Sequence, residues 1–166
     1  MSLSRQTLVI AFALLLAACG LSACGFQLRA APDMPAEISR IYISANDKYS
    51  LFYRKFRNEL ANAGVQVVDS PVDSSAVFSI LTDDTNRRVL SVSARNVPRE
   101  YEVYYTIYYS VESDNETIMA PQSLTLTKDY TYDETLVLGK AREEELLREA
   151  IVDELIRIVL KQLSSL

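Results

Sequence analysis

The sequence predicts a two-layer α+β sandwich, in which an antiparallel-rich mixed sheet of about four strands carries two helices on one face. Residues 100–112 alternate strictly between two faces, which is typical of a half-buried strand. Residues 50–63 and 140–163 each carry an apolar stripe at helical spacing. A sheet with one apolar face can bury two such stripes against itself, and this favours two layers.

The first 23 residues predict a lipoprotein-type signal peptide. Arg5 supplies one positive charge, and the apolar run over residues 7–18 is shorter than the roughly 20 residues that span a bilayer. Cys19 and Cys24 each follow an aliphatic residue and two small residues, a pattern that resembles the bacterial lipobox. A cleaved signal without lipid, an anchor helix and a Cys19–Cys24 disulfide are the alternatives. The spacing alone does not decide which cysteine carries the lipid.

The composition excludes several classes of function. The chain of 166 residues has no histidine, which removes the Ser-His-Asp triad and every histidine-ligated metal site. Its four glycines are too scattered for a nucleotide-binding loop. Removal of residues 1–23 deletes one charge, Arg5, and leaves 143 residues with a net charge of −6, which argues against general nucleic-acid binding. We therefore predict no cofactor and no metal, and we assign no catalytic residues, although the composition does not exclude carboxylate chemistry.

The first half of the mature chain predicts the start of the sandwich. Residues 24–36 contain two prolines and predict an extended, lipidated lead, and residues 37–166 predict a single α+β domain. Within that domain we expect a strand over residues 37–44 and a helix over residues 50–63 that ends at Gly64. A short strand over 65–68 and a loop over 69–75 follow.

The second half predicts the main antiparallel strands. Residues 76–82 and 87–94 are strand-like, and residues 83–86 between them form either a turn or a bulge within one long strand. In the strand over residues 100–112 the odd-numbered residues form the core face. These residues are Tyr101, Val103, Tyr105, Ile107, Tyr109 and Val111.

A return strand and a second helix complete the domain. Residues 114–115 predict a turn, and residues 117–132 predict the return strand, where Pro121 marks a bulge or a sheet edge. Residues 133–139 predict a loop before the helix over residues 140–163. The acidic run Glu143, Glu144 and Glu145 is expected to be a solvated first turn.

Four stretches resemble the family of LPS-assembly lipoproteins called LptE. After Cys24 the chain reads GFQLR, which is similar to the start of the mature members. The resemblance continues through the stretches RKFRNELANAGVQVVD, VSARNVPREYEVYYTIYYSV and LGKAREEELLREAIVDELIRIVLKQL. It covers most of the mature chain in order and spacing. It implies that Cys24 is lipidated and that Cys19 belongs to the signal peptide.

The resemblance also implies a function, a location and site residues. The family's members are non-enzymatic lipoproteins of the outer membrane, anchored by acyl chains, that plug and help assemble the LptD-like β-barrel translocon. The domain is then expected within or below the barrel on the periplasmic side, where it binds lipopolysaccharide during insertion into the outer leaflet. Local alignment implies that lipopolysaccharide contacts Arg95 and Lys140, and Arg99 is an alternative to Arg95 because Pro98 makes the loop spacing ambiguous.

Simpler interpretations stand beside these. Loop arginines that converge on one end would suit phosphate, but charged loop residues are commonly just solvated. The cations in question are Arg87, Arg88, Arg95, Arg99 and Lys140. Tyr104 and Tyr108 would contact the barrel wall, or they reflect only the preference of tyrosine for strands.

Two other functions stay open at this point. One is an accessory lipoprotein of another envelope complex, such as a transporter or a secretin, because one fold serves many functions. The other is a periplasmic hydrolase that uses Glu100 and Glu102, which share a strand face but have no third group apparent in the sequence.

Overall fold

A five-stranded sheet with two α-helices on one face forms the part of the chain that the structure describes, residues 34–133 and 135–166 of a computed structural model. The helices and strands, in chain order, are β1 Arg40–Ala45, α1 Leu51–Asn62, β2 Gln66–Val68, β3 Ala76–Val92, β4 Pro98–Ser113, β5 Glu116–Thr131 and α2 Val137–Leu163. Cys19, Cys24 and the predicted signal peptide lie outside the described residues. No helix within the described ranges has the length and apolar content needed to cross a membrane.

The sheet is mixed, as predicted, and has the order β2-β1-β3-β4-β5. β1 is parallel to both of its neighbours, whereas β3, β4 and β5 form an antiparallel meander. The sequence predicted about four strands. The count is five because the three-residue β2 pairs with β1 from Arg40 opposite Gln66 to Tyr42 opposite Val68.

The core lies between the sheet and both helices. α1 begins at the N-cap Ser50, whose side chain accepts a 3.1 Å hydrogen bond from the Tyr53 backbone N–H. A run of aromatic contacts then crosses the layers, with ring centroids 4.6 Å apart between Phe56 and Phe78 and 5.1 Å apart between Phe78 and Tyr109. The odd-numbered core face predicted for β4 is confirmed, since five of its six residues are buried and Tyr101 packs against the same core.

β3 is one continuous strand, as the second alternative predicted, but residues 83–86 are regularly paired and do not form the bulge. The irregularity itself falls earlier, where the register moves from Ile80 to Thr82 and skips Leu81. An extra residue reverses which residues face each side. Before the bulge Ile80 is buried under the helices, and after it the odd-numbered Asp83 and Arg87 contact the helix layer.

Other boundaries differ modestly from the prediction. Residues 36–38 form a 3₁₀ turn where the sequence predicted the start of a strand, because a 3.1 Å bond from the Ile38 N–H to the Pro35 carbonyl closes that turn. α2 begins at Val137, three residues before the predicted start. Asp114 and Asn115 form the predicted turn with positive φ angles of 50° and 64°. Pro121 lies in the edge strand β5, opposite a register shift in β4.

Candidate functional site

Two of the three candidate cations line one depression at the end of the β3–β4 hairpin. The depression has a volume of about 270 Å³ and is lined by Ser93, Arg95, Val97, Pro98, Arg99, Thr131, Tyr132 and Asp133. Arg95 and Arg99 are both exposed. Neither forms an ion pair with any residue in the described part of the chain. The structure therefore places both alternatives for the first basic position in the same site.

Backbone hydrogen bonds shape the loop that carries Arg95. The Ser93 N–H donates to the Val97 carbonyl at 2.7 Å, and the Asn96 N–H donates to the Ser93 carbonyl at 2.9 Å. Asn96 has a φ of 60°, a conformation that asparagine tolerates better than most residues. On the far side, the Tyr132 N–H donates to the Arg99 carbonyl at 2.7 Å and so continues the β4–β5 ladder. Backbone hydrogen bonds therefore fix the loop that carries Arg95 and the strand end that carries Arg99.

Lys140 lies beside this depression, in the first turn of α2. Its side chain is 19% exposed, and its Nζ forms a 2.7 Å ion pair with Glu143. Asp133 lines the depression and also experiences the charge of Lys140. Hydrogen bonds from the hydroxyl and backbone N–H of Thr135 lower the pKa of Asp133, and the charge of Lys140 lowers it further. Lys140 is therefore within electrostatic range of the depression.

Arg87 and Arg88 do not belong to the basic site, although the sequence allowed them to. They project to opposite faces of the sheet, as consecutive strand residues must. The Arg87 guanidinium lies 2.7 Å from the Oε2 of Glu144 and 4.7 Å from the Tyr101 ring centroid. Arg88 forms an ion pair with Glu102 on the other face. Both cations form their ion pairs away from the depression, which neither of them lines, and the cluster of five is reduced to three.

The expectation that Glu144 is solvated is wrong. Its residue surface is 8% exposed, and its carboxylate accepts hydrogen bonds from Tyr130, Arg87 and Arg148. Burial by itself would raise the pKa of Glu144, but the Tyr130 hydrogen bond and the charges of Arg148 and Arg87 outweigh it and lower that pKa. Of these three contacts, only the one with Arg148 was predictable, from its i,i+4 spacing on the helix.

Tyr132, which lines the depression, belongs to a cluster of three tyrosines that also contains Tyr101 and Tyr130. The rings of Tyr101 and Tyr130 stack with centroids 5.7 Å apart, and Tyr132 meets Tyr101 edge to face at 5.4 Å. Burial and the hydrogen bond to Glu144 raise the pKa of Tyr130, against an opposing effect of Arg87. Tyr132, which the sequence did not single out, is the residue that joins this aromatic cluster to the depression.

The predicted barrel-contact residues lie on the opposite, helix-free face of the sheet. Tyr104 is paired in register with Thr127, and Tyr108 is paired with Ser123. Tyr104 is partly exposed, and Tyr108 is 38% exposed. They are accessible on a polar face, and their role at a barrel wall stays a prediction.

The two carboxylates of the hydrolase alternative do not converge on the depression. Glu100 accepts a 2.7 Å hydrogen bond from Ser91, and Glu102 is paired with Arg88. Neither lines the depression. Within residues 34–133 and 135–166, no group of three or more acidic, cysteine or histidine side chains is placed to hold a metal ion.

Comparison with known proteins shows which family and which relatives this chain resembles. The family model described as LptE, lipopolysaccharide-assembly, matches residues 38–163. The protein named LPS-assembly lipoprotein LptE from Pectobacterium atrosepticum is 24% identical over 158 residues, which are 95% of this chain and 83% of that protein. Its namesake from Yersinia enterocolitica is 23% identical over 141 residues, which are 84% of this chain and 68% of that protein.

Solved structures share the fold. The solution structure of lipoprotein B from Nitrosomonas europaea matches with a TM-score of 0.72 and 25% identity, and the match covers 85% of this chain and 91% of that one. The crystal structure of rare lipoprotein B from Shewanella oneidensis matches with a TM-score of 0.66 and 28% identity, over 76% of this chain and 94% of that one.

Proposed function

Because this chain belongs to the LptE lipopolysaccharide-assembly family, we propose that it plugs and helps assemble the β-barrel that delivers lipopolysaccharide to the outer leaflet. In this proposal it is an outer-membrane lipoprotein anchored through Cys24. It binds lipopolysaccharide during insertion and works by contact, without catalysis. Two or more acyl chains on one cysteine anchor a protein stably, whereas one chain binds only marginally.

The observation that carries lipopolysaccharide binding is the shared depression of Arg95 and Arg99, with Lys140 beside it. The mature chain has a net charge of −6, so an anionic ligand needs a local group of cations. Guanidinium groups bind phosphate through two parallel hydrogen bonds. The phosphate groups of lipid A have the chemistry that such a site accepts.

Barrel contact is supported by the helix-free face of the sheet. Its exposed residues on β4 and β5 are mostly threonine, serine and acidic residues, with Tyr108 among them, and tyrosine is a residue that protein interfaces favour. Tyr104 and Tyr108 supply its largest side chains on β4. The helices cover the other face, so this side remains available to a partner.

Charge reversal tests the ligand site. We expect Arg95→Glu and Lys140→Glu each to weaken binding of purified lipopolysaccharide by about ten- to a hundredfold, since a charge-assisted hydrogen bond contributes about 1.5–3 kcal/mol. Arg54→Glu is the matched control, because Arg54 is an exposed arginine on α1 outside the depression. Thermal unfolding would establish that each variant is folded. Unchanged affinity in both site variants would remove these residues from the site.

Co-purification of a partner protein tests the proposed function as a barrel plug. The full-length lipidated protein, purified from detergent-solubilised envelopes, should bring a large β-barrel protein with it. The double variant Tyr104→Ala/Tyr108→Ala should recover several-fold less of it, while Tyr49→Ala should recover a normal amount, since Tyr49 is 86% exposed on a different loop. Recovery of a transporter or a secretin in place of a barrel would contradict the proposal.

A further inference from the structure

Three consecutive aliphatic side chains are exposed beside Lys140. Leu136 is 59% exposed, Val137 is 52% exposed and Leu138 is 90% exposed. They share one helical turn with Lys140, whose backbone N–H donates a 2.9 Å hydrogen bond to the Leu136 carbonyl. Burial of such side chains is favourable, so three in a row on the surface indicate a contact that the described part of this chain does not make.

These residues continue directly from the cationic depression. Tyr132 and Asp133 line the depression, and Leu136 follows three residues after Asp133. The Leu136 N–H donates a 3.1 Å hydrogen bond to the Asp133 carbonyl, which folds this connection into a turn. The aliphatic segment is thus held next to the cations by the backbone itself.

The other flank of the depression is aliphatic as well. Val89, Leu90 and Val92 at the end of β3 are 47%, 45% and 52% exposed. In the sheet Val92 is paired with Pro98, which lines the depression. Within the described residues, six of the twelve exposed large apolar side chains belong to these two segments. The cations therefore lie among exposed aliphatic residues.

We propose that Leu136, Val137 and Leu138 form an acyl-chain subsite, which binds hydrocarbon chains of the amphiphile whose phosphates contact Arg95, Arg99 and Lys140. This inference rests on the proposed function, because it assumes that lipopolysaccharide is the ligand. The cations would contact its phosphates, and the aliphatic residues would contact its acyl chains. A ligand with phosphates and acyl chains on one small headgroup matches both surfaces at once. A free phosphate would leave the aliphatic residues uncovered.

The subsite would also help to separate single molecules from an aggregate. A lipid that leaves a micelle or bilayer exposes its chains to water, and the free-energy cost rises with each CH₂ group. Contact with three aliphatic side chains offsets part of that cost. The cations alone could hold the headgroup and would not lower this cost.

Two ligands that differ only in their chains test the subsite. We would measure binding of intact lipopolysaccharide and of chemically deacylated lipopolysaccharide to the full-length mature protein in detergent. The variant Leu136→Ser/Leu138→Ser should lose about tenfold in affinity for the intact ligand and keep its affinity for the deacylated one. Lys140→Glu should lose affinity for both.

Val72→Ser is the matched control, since Val72 is 91% exposed on the 3₁₀ turn after β2 and should leave both affinities unchanged. If the double variant shifts the unfolding midpoint, the single Leu138→Ser replaces it. Equal affinity of the leucine variant and the wild type for the intact ligand would overturn the subsite. Normal ligand binding with reduced recovery of the barrel would assign the surface to a protein partner, which also overturns it. A wild-type protein that binds neither ligand would instead overturn the proposed function.

Discussion

The hydroxyl of Tyr130, near the end of β5, donates a 2.9 Å hydrogen bond to the carboxylate of Glu144 in the second turn of α2. Arg87 of β3 donates to the same carboxylate oxygen at 2.7 Å. These contacts fasten the start of α2, which carries Lys140, to two of the strands that end beside Arg95 and Arg99. The Glu144 network thereby holds the two parts of the candidate site together.

Glu144→Gln should lower the free energy of unfolding by about 1–3 kcal/mol at pH 7, because it removes the charge that three donors share. The pKa of Glu144 is lower in the folded protein than its ordinary value of 4.5. Its contribution is therefore complete above about pH 5.5 and is lost as the pH falls through the folded value. Urea unfolding of both proteins at pH 7 and at pH 3.5 measures this.

Glu145→Gln is the control for that experiment. Glu145 is 60% exposed and is paired with the equally exposed Arg142, and such surface pairs contribute little. We expect a change of less than about 0.5 kcal/mol. A difference between wild type and Glu144→Gln that persisted undiminished at pH 3.5 would contradict the charge-based explanation.

The two glycines in the described chain should respond to alanine with opposite signs. A Cβ at either position would meet nothing within 4 Å, so packing does not distinguish them. Gly64 has a φ of +83°, and Gly64→Ala should destabilise the protein by about 1–2 kcal/mol. Gly139 lies in the first turn of α2 without a positive φ, and Gly139→Ala should stabilise it by about 0.5 kcal/mol. Denaturant unfolding measures both, and a shared sign would show that φ is not the deciding factor.

Asp133→Asn should strengthen binding of deacylated lipopolysaccharide several-fold at low ionic strength. The carboxylate opposes an anionic ligand in the depression, and asparagine keeps the Oδ1 atom that accepts from Thr135. The lowered pKa of Asp133 keeps it ionised, so the wild type should approach the variant only below about pH 3.8. Calorimetric titration at 0.02 M and 0.15 M salt would show the gain shrinking as salt rises. Equal affinities at low salt would place the phosphates away from Asp133.

Cys24→Ala should leave an unlipidated precursor, whereas Cys19→Ala should be processed normally. This follows from the predicted cleavage before Cys24, whose position lies outside the described residues. Radiolabelled palmitate and a gel shift of the precursor measure it. Lipidation that disappears only in Cys19→Ala would move the anchor to Cys19.

Local patterns predicted the elements whose causes are local. The alternation in β4 is visible because strand side chains change faces at every residue, and the buried set from Val103 to Val111 follows it. The turn at Asp114 and Asn115 was also predictable, since these residue types tolerate positive φ. Loop charge alone predicted Arg95, Arg99 and Lys140 only within a set of five cations, and the family resemblance singled these three out.

The sequence by itself determined the order of the elements, the apolar face of each and the family resemblance, because these depend on neighbours a few residues apart. Only the tertiary structure decided which cations are paired. A one-residue bulge at Leu81 sets the faces of Arg87 and Arg88, and each then meets a carboxylate on β4 or α2. Arg95 and Arg99 lie further along the β3–β4 hairpin, near its turn, and their side chains are exposed to solvent. The ion pair of Arg87 and Glu144 joins residues 57 positions apart in the sequence, and no local pattern encodes a contact of that kind.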